Sequence, residues 1–523
     1  MEGGPMRSLC CLMILVAAGC AGDEETPVAV DAVDAVDAAR SDVVGIVTID
    51  ADPEPIDVEG YAELPVTVTI PRCAPEAACP FRVRHEDGWS DATLSATLNG
   101  ALLPDVTLYR GQGSGLLPPM EVGEHDLTLV AGDSARVTEV EVLELPILTH
   151  SGLIGEQNWA ADGVHHVTDH LSIDGALRLS PGVTVIVAAG VNIEVSGAVT
   201  ALGTEELPVL FTGASSAPWG GMRLIGHDTS ELNHVFLTGG GGDETKAFGH
   251  SDSQPLIRLK AGELQMISGA ILDSPGKAFG CTLARMDLED VLVARVDTGG
   301  ELDRCAAQIR AAHVSEIPDG DGVAEDDDND GIYLLGVYVD DNEFPVRTEI
   351  SDSFFFVGED DGVDHNNAFV LIERTWIEGF AHEGVAASVG NSITIVDSVI
   401  RGCEQGVEAG YGAPTVEVDH CLITNNEVGV RFGDSYDWDT DGTLTVSHTV
   451  SVGNDVNVRN FLNSTGAPHP TGLTVACSMV DDPEYDEVAN NVSGVPVITQ
   501  GCVEAATLDA PCDGTAPGPA GCE

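Results

Sequence analysis

The feature that most constrains the fold is a five-residue pattern that recurs in the second half of the chain. It consists of an apolar residue, two mostly polar positions, a small Ser, Thr or Cys, and a second apolar residue. Its six copies begin 22, 23, 23, 28 and 29 residues apart, at residues 350–354, 372–376, 395–399, 418–422, 446–450 and 475–479. Strand-like units that repeat every ~20–30 residues are typical of solenoids, in which each coil buries its apolar side against the next. The repeat therefore predicts a stack of β-coils.

The segment before the repeat also has the sequence pattern of short strands separated by sharp turns. Residues 177–187 include Pro181-Gly182-Val183-Thr184, and Trp219-Gly220-Gly221 follows. These runs resemble the first coils of right-handed parallel β-helix proteins of the pectate-lyase-like superfamily. The resemblance implies an all-β fold with a right-handed parallel β-helix over residues 149–502 and a tail over residues 503–523.

Residues 43–148 have a different pattern. Residues 66–70 and 94–98 alternate apolar and polar side chains, and Gly- or Pro-containing turns separate such runs. Short alternating strands at this spacing predict a β-sandwich. The segment 123–133 resembles the penultimate strand and turn of bacterial immunoglobulin-like domains, which implies a small immunoglobulin-like domain ahead of the helix.

The first twenty residues indicate export. An apolar run over residues 9–18 ends in Ala17-Ala18-Gly19-Cys20, which resembles a lipoprotein signal peptide. This resemblance implies removal of residues 1–19, acylation of Cys20, and anchoring to the outer membrane or cell surface. An ordinary signal peptide that leaves Cys20 free is the alternative. The acidic, low-complexity residues 20–42 would then form a tether.

The charge of the chain excludes one class of partner. Its 86 Asp and Glu residues against 22 Lys and Arg residues give a formal net charge of −64. Nucleic-acid binding needs clustered cations, so this composition argues against it. Solubility in high salt, calcium binding and repulsion from an anionic cell surface all remain compatible with the charge.

The cysteines suit an exported protein. Three of the 13 lie in the signal peptide or at the anchor, which leaves an even number for disulfides. Proximity in the sequence predicts the pairs Cys73–Cys79, Cys281–Cys305, Cys477–Cys502 and Cys512–Cys522. Cys403 and Cys421 are either a further pair or buried thiols.

The repeat also brings charged residues into register. Counted from its small residue, the loop positions six or seven later hold Asp360, His382, Glu404, Glu427 and Asp455. Positions ten or eleven later hold Asp364, Glu408, Arg431 and Arg459. Equivalent positions of a parallel β-helix stack ~4.8 Å apart, so these side chains are expected to form one charged face.

Two chemistries fit such a face. In polysaccharide lyases of the superfamily, acidic side chains hold calcium and an Arg or Lys removes a proton, which would give roles to Asp364, Glu408 and Arg431. In a glycosidase, paired carboxylates act as acid and base. The pairs Asp340/Asp341 and Asp360/Asp361, followed by His382, resemble the paired Asp and following His of polygalacturonases. An ordinary Glu408–Arg431 ion pair on a solvated edge is the simplest alternative.

Two loops match the pattern D-x-D-x-D-G, in which alternating oxygen ligands and a turn glycine can surround calcium. Their candidate ligands are Asp326, Asp328 and Asp330, and Asp437, Asp439 and Asp441. Both lack the acidic twelfth residue of an EF-hand, so another coil would have to complete each site. Acidic solvent-exposed loops without a cation are the alternative.

Three functions remain open at this point. The sequence favours a monomeric surface lipoprotein that binds polysaccharide or another extended ligand without catalysis. A calcium-dependent polysaccharide lyase or a glycoside hydrolase acting on acidic polysaccharide is the second hypothesis, with Asp360, Asp364, His382, Glu408 and Arg431 as the site. A passive envelope or adhesion scaffold is the third.

Overall fold

The computed structural model describes residues 58, 60–75, 77–88, 90–317, 328–433, 441–461, 472–482, 484–485, 489 and 491. The predicted signal peptide, Cys20 and the tether lie outside this part of the chain. Among the described residues, no helix combines the length and apolar character that a membrane span needs.

The N-terminal part consists of antiparallel β-sheets. Strands β4, β5, β6, β8 and β9 form one sheet, joined by β1 alongside β9, and β3 pairs with β2 and β7 in another. Phe81, Leu94 and Leu127 are buried between them, and Cys73 forms a disulfide with Cys79. The nine strands are β1 Ala62–Glu63, β2 Val66–Thr69, β3 Cys79–His85, β4 Ala92–Leu98, β5 Ala101–Leu102, β6 Val106–Leu108, β7 Gln112–Leu117, β8 Gly123–Ala131 and β9 Ser134–Val142. We call this part the sandwich.

The rest of the described chain is one parallel solenoid, apart from a short antiparallel hairpin formed by β29 and β30 and a 3₁₀ turn at Glu244–Lys246. Its strands are β10 Ile147–Trp159, β11 Val164–Leu179, β12 Thr184–Val187, β13 Ile193–Val195, β14 Val199–Leu202, β15 Val209–Gly213, β16 Met222–Leu224, β17 Thr229–Asn233, β18 Val235–Thr238, β19 Ile257–Leu259, β20 Glu263–Ile267, β21 Ala270–Ser274, β22 Phe279–Thr282, β23 Arg285–Glu289, β24 Leu292–Val296, β25 Gly300–Asp303, β26 Ala306–Arg310, β27 His313–Ile317, β28 Tyr333–Leu335, β29 Tyr338–Val339, β30 Pro345–Val346, β31 Thr348–Ser351, β32 Phe354–Gly358, β33 Val363–Asn366, β34 Val370–Glu373, β35 Trp376–Phe380, β36 Glu383–Ser388, β37 Ser392–Val396, β38 Val399–Arg401, β39 Gln405–Ala409, β40 Thr415–Asp419, β41 Leu422–Thr424, β42 Val428–Phe432, β43 Thr443–Ser447, β44 Val450–Ser451, β45 Val456–Asn460, β46 Leu473–Ala476 and β47 Met479–Val480.

From β12 onward each coil contributes three strands to the solenoid, and, β29 and β30 apart, each strand pairs in parallel with its equivalent one coil later. The solenoid therefore has three faces. Face A begins with β12, β15 and β18, face B with β13, β16 and β19, and face C with β14, β17 and β20. The prediction of an all-β parallel β-helix is confirmed.

The first residues of the five-residue repeat stack in one buried column on face C. Ile350 pairs with Ile372, which pairs with Ile395, and the column continues through the equivalent valines. Each of these side chains is almost completely buried. The repeat thus marks the strand that turns its apolar residue into the core at every coil.

The corner between faces C and A explains the small residue of the repeat. The preceding residue adopts a left-handed conformation, as at Asp397 with φ 48°. The Ser398 hydroxyl donates to the Val396 carbonyl at 2.7 Å and accepts the N–H of Thr375 in the previous coil at 3.1 Å. Equivalent bonds to the previous coil involve Ser353, Thr449 and Ser478. A hydroxyl at this position therefore satisfies backbone groups that the sharp corner leaves unpaired.

The sandwich packs on the outer side of face A. Leu210, Phe236 and Leu292 point away from the solenoid core and share a buried cluster with the sandwich. Arg82 of β3 reaches across, with its guanidinium 2.9 Å from an Asp290 carboxylate oxygen and 3.0 Å from the Asp290 carbonyl. A buried apolar contact anchored by an ion pair therefore joins the two parts.

Replacing Ser398 with alanine should lower the free energy of unfolding by about 1–3 kcal/mol, because it leaves the Thr375 N–H buried without its partner. Urea unfolding followed by circular dichroism measures the change. Ser392→Ala, on a half-buried side chain of the same coil, is the matched control. Equal midpoints for the two variants would contradict the proposed role of the hydroxyl.

The packing of the sandwich should be sensitive to acid through His313. Burial lowers the pKa of His313 to about 3, and Arg82 adds to the effect. The unfolded chain takes up this proton below its ordinary pKa of about 6.5, whereas the folded chain does not until about pH 3, so stability falls as the pH drops through this window. Between pH 7 and pH 4.5, His313→Leu should lose about 2–3 kcal/mol less stability than the unmodified protein. Urea unfolding at both pH values, with exposed His227→Gln as the control, tests this; an unchanged pH dependence would refute it.

Candidate functional site

A column of glycines runs along the corner between faces A and B. A Cβ at Gly331 would lie 2.4 Å from the Gly362 carbonyl oxygen, and one at Gly362 would lie 2.6 Å from that of Gly384. Gly384 and Gly406 have the same relation to the next coil. Only glycine allows the coils to approach so closely here.

The residue before each of these glycines is polar and buried. Asp330, Asp361, Glu383 and Gln405 occupy the position in four successive coils, and we call them the inner column. The N–H of Glu383 donates to the Asp361 carboxylate at 2.8 Å, and the Gln405 side-chain amide donates to the Glu383 carboxylate at 2.6 Å. The glycine column therefore holds a row of carboxyl groups in the protein interior, at the edge of face B.

Asp364 joins this row from face B itself. It lies on β33, where it pairs with Tyr333 of the previous coil. Carboxylate oxygens of Asp330, Asp361 and Asp364 lie within 4.8 Å of one another. Three like-charged groups at this spacing cannot all be ionised at low cost.

The pKa values of the three carboxyl groups reflect this crowding. Burial raises the pKa of Asp330 and of Asp361 well above the usual range, and neighbouring carboxylates raise both further. Burial and the charge of Asp360 raise the pKa of Asp364 to about 8. The cluster therefore retains protons at neutral pH, as a general acid requires.

His382 lies beside the cluster on the outer side. Its Nδ1 is 3.2 Å from a carboxylate oxygen of Asp360 and 2.6 Å from one of Glu383. Hydrogen bonds to Asp360 and Glu383 raise the pKa of His382 to about 11. Burial acts to raise the pKa of Glu383, but its hydrogen bonds, led by that from His382, bring it down to about 2. His382 and Glu383 therefore form a charged pair.

Further along face B the charge pattern changes sign. Arg431 pairs with Glu408, and its guanidinium lies 3.6 Å from Glu383. Arg459 follows Arg431 in the next coil, and both lie over the ring of Phe461. The face thus passes from buried carboxyl groups to guanidinium groups within three coils.

An open cavity of about 720 Å³ continues from His382 along the corner. Glu404, Glu427 and Asp455 line it together with Asn425 and Asn426. Glu404 connects it to the cluster, with its carboxylate 3.9 Å from His382 Nε2. The groove is therefore acidic and long enough to span several coils.

On the opposite flank, a buried ion pair supports the site. The Lys277 ammonium lies 2.5 Å from the Glu301 carboxylate, and Glu301 also accepts the backbone N–H of His250 at 2.7 Å. The His250 ring stacks on Tyr333, and its Nδ1 lies 3.0 Å from Asp328. These contacts hold Asp328 and the preceding flank of the cluster in place.

The structure brings the predicted residues Asp360, Asp364, His382, Glu408 and Arg431 to one region, as the repeat-based register implied. Asp328 and Asp330 lie there too, whereas Asp441 belongs to a different coil. The other predicted calcium ligands, Asp326, Asp437 and Asp439, lie outside the described residues.

The pair Asp340/Asp341 is not part of the site. Asp340 lies in the turn of the β29–β30 hairpin, where its carboxylate accepts the N–H groups of Asn342 and Phe344. Asp330 takes the place expected for this pair, because it is the residue that stacks on Asp361. Glu383 and Gln405 were not predicted; the recurring polar residue before glycine was the signal that could have found them.

The cysteines supply no reactive group to this site, although Cys403 is among the residues that line the cavity. Cys281 forms a disulfide with Cys305, and Cys477 is also disulfide-bonded, while Cys502, Cys512 and Cys522 lie outside the described residues. Cys403 and Cys421 are buried free thiols. Burial raises the pKa of each to about 12, so neither is a ready nucleophile.

Comparisons with known proteins return distant matches. No protein-family model and no curated protein matches the chain. Among solved structures, a variant catalytic domain of a GH87 alpha-1,3-glucanase in complex with nigerose is 9% identical, covers 80% of this chain and 98% of its own, and has a TM-score of 0.31. An alginate lyase from Paenibacillus sp. str. FPU-7 is 15% identical, covers 57% of this chain and 91% of its own, and has a TM-score of 0.22.

The burial and crowding of the carboxyl groups should make the protein less stable in alkali. The folded-state pKa of Asp364 is about 8, above its ordinary value of 3.8, so its contribution to stability is complete below about pH 4 and is lost as the pH rises through 8. Asp364→Asn should therefore flatten the decline in unfolding free energy between pH 5 and pH 9. Urea unfolding across this range measures the slope, with exposed Asp341→Asn as the control. An unchanged slope in Asp364→Asn would show that this carboxyl group does not titrate as described.

Proposed function

We propose that the chain is a glycoside hydrolase that acts on a polysaccharide bound along the groove beside face B. The observation that carries this proposal is the placement of protonated, buried carboxyl groups next to the more accessible carboxylate of Asp360. Glycosidic bonds are cleaved by such pairs, in which one carboxyl group supplies a proton and the other activates water.

The roles follow from the surroundings of each group. Asp364 retains a proton at neutral pH and lies on the face that a sugar chain would contact, so it is assigned as the general acid. It transfers the proton to the glycosidic oxygen as the bond from that oxygen to the anomeric carbon breaks. Asp360 accepts a proton from the water that attacks the anomeric carbon. The two product hydroxyl groups account for the atoms of the added water.

The neighbouring residues position these groups. His382 donates to Asp360 and is itself held by Glu383, which fixes the orientation of the base. Asp361 accepts the backbone N–H of Glu383, and burial together with the charge of Asp360 raises the pKa of Asp364 and keeps its proton in place. The arrangement supports the resemblance to polygalacturonases, with Asp330 in place of Asp340/Asp341.

The charge of the groove favours a neutral polysaccharide over the acidic one suggested by the sequence. Glu404, Glu427 and Asp455 line the cavity, and Arg431 is already paired with Glu408. A polyanion would therefore meet repulsion from the carboxylates that line the cavity. Calcium bound near Asp330 is the route by which an anionic sugar could still be accepted.

Incubation with neutral and acidic polysaccharides, followed by assay of reducing ends, tests the proposal. Hydrolysis of a neutral polysaccharide is expected, with rates at least ~100-fold lower in Asp360→Asn and in Asp364→Asn because each removes a proton-transfer group. Asp341→Asn is the control. Activity that persists in both site variants would refute these roles.

Two further readouts distinguish the alternatives. Unsaturated products that depend on calcium and disappear with a chelator would identify a lyase. Saturable binding to a polysaccharide without new reducing ends would identify a binding module, and neither binding nor cleavage would favour a passive scaffold.

A further inference from the structure

Two histidines stack at the corner between faces C and A, whereas the carboxyl cluster lies beside the corner between faces A and B. His420 and His448 occupy the third position of successive copies of the five-residue repeat. Both have left-handed backbone conformations, with φ values of 53° and 45°. Their ring centroids are 4.9 Å apart and their planes differ by 22°. The coil repeat therefore brings together two imidazoles that are 28 residues apart in the sequence.

One carboxylate, that of Asp419, bridges the Nδ1 atoms of the two stacked rings. The Nδ1 atoms of His420 and His448 lie 2.8 and 2.7 Å from different oxygens of Asp419. The hydroxyl of Ser447 donates to Asp419 at 2.7 Å and fixes the carboxylate from the side. Asp419 and Ser447 are themselves paired across β40 and β43. Two nitrogen ligand atoms and one oxygen ligand atom thus converge within 4.8 Å on rigid, adjacent coils.

We propose that Asp419, His420 and His448 bind one zinc ion or a similar divalent first-row transition metal. Two imidazoles and a carboxylate are a common set of three protein ligands for zinc, with a fourth position left for water. Ligand atoms around tetrahedral zinc are ~3.3 Å apart, as follows from metal–ligand distances of ~2.0 Å. The Nδ1–carboxylate distances need to open by only about half an ångström, a movement within reach of side-chain rotation. Imidazole nitrogen disfavours calcium, which takes oxygen ligands.

The site differs from the carboxyl cluster in both chemistry and location. Asp330, Asp361 and Asp364 offer only oxygen atoms beside the corner between faces A and B, whereas this site offers two imidazole nitrogen atoms and one carboxylate oxygen at the corner between faces C and A. All three side chains are partly accessible to solvent, with exposed fractions of 36%, 41% and 27% for Asp419, His420 and His448. A metal ion can therefore enter without unfolding of the coils. Once bound, it would cross-link two successive coils near the C-terminal end of the described helix.

Titration with Zn²⁺ by calorimetry tests the site, and Co²⁺ absorption reports the ligand geometry. The unmodified protein should bind one equivalent of Zn²⁺, and Co²⁺ should give the visible bands of a tetrahedral site. His420→Asn and His448→Asn should each weaken Zn²⁺ binding at least 10-fold, and the double variant should abolish this one-equivalent phase. Asparagine is the chosen replacement because it tolerates the left-handed conformation, so the metal-free melting temperature should stay close to that of the unmodified protein.

Two controls make the result specific. His234→Asn changes a histidine with φ 47° at the same corner, where the next coil has Ser268 in place of a second imidazole; it should bind Zn²⁺ as the unmodified protein does. Asp364→Asn removes a ligand from the carboxyl cluster and should also leave the phase intact. No saturable one-equivalent phase, or a phase that persists in the His420/His448 double variant, would overturn the proposal.

Discussion

The structure depends on how each coil turns from face C to face A without leaving backbone groups unpaired. A left-handed residue makes the turn sharp, and the hydroxyl that follows bonds both to its own strand and to the coil before it, as Ser398 does with Val396 and Thr375. Because the same bond recurs at Ser353, Thr449 and Ser478, it keeps the coils in register over a long distance. Because the coils are in register at this corner, equivalent residues on the other faces also stack, including the carboxyl groups of the inner column.

At the corner between faces A and B, glycine rather than a hydroxyl group allows successive coils to pack closely. Glycine at positions 331, 362, 384 and 406 allows neighbouring coils to come into contact. The residue before each of these glycines is buried and polar. Asp330, Asp361 and Glu383 therefore lie closer together than separate surface loops would allow. Burial, and after it repulsion from neighbouring carboxylates, raises the pKa values of Asp330 and Asp361. The stacking that stabilises the fold also imposes the strain on which the proposed chemistry depends.

The sequence predicted the positions of residues correctly wherever successive coils have the same length. The solenoid, and the stacking that brings Asp364, His382 and Arg431 together, followed from counting residues after the repeated Ser or Thr. Counting failed where a coil is longer: the β29–β30 hairpin carries Asp340 away from the site, while Asp330 remains in the column. Insertions at a corner leave the stacked strands in place, so residue number alone cannot locate the column there. The docking of the sandwich was also not predicted, although the uninterrupted burial of β15 indicates a strand covered on both sides.

The packing of the sandwich on face A bears on the order in which the two parts fold. Leu210, Phe236 and Leu292 form an apolar stripe on the outside of the early coils, covered only by the sandwich among the described residues. The sandwich is synthesised first, so it can already be folded and can cover the stripe when those coils form. A rearranged chain in which the helix preceded the sandwich would expose the stripe through most of translation and favour aggregation. The order of the two parts in the sequence thus limits how long the apolar stripe is exposed during folding.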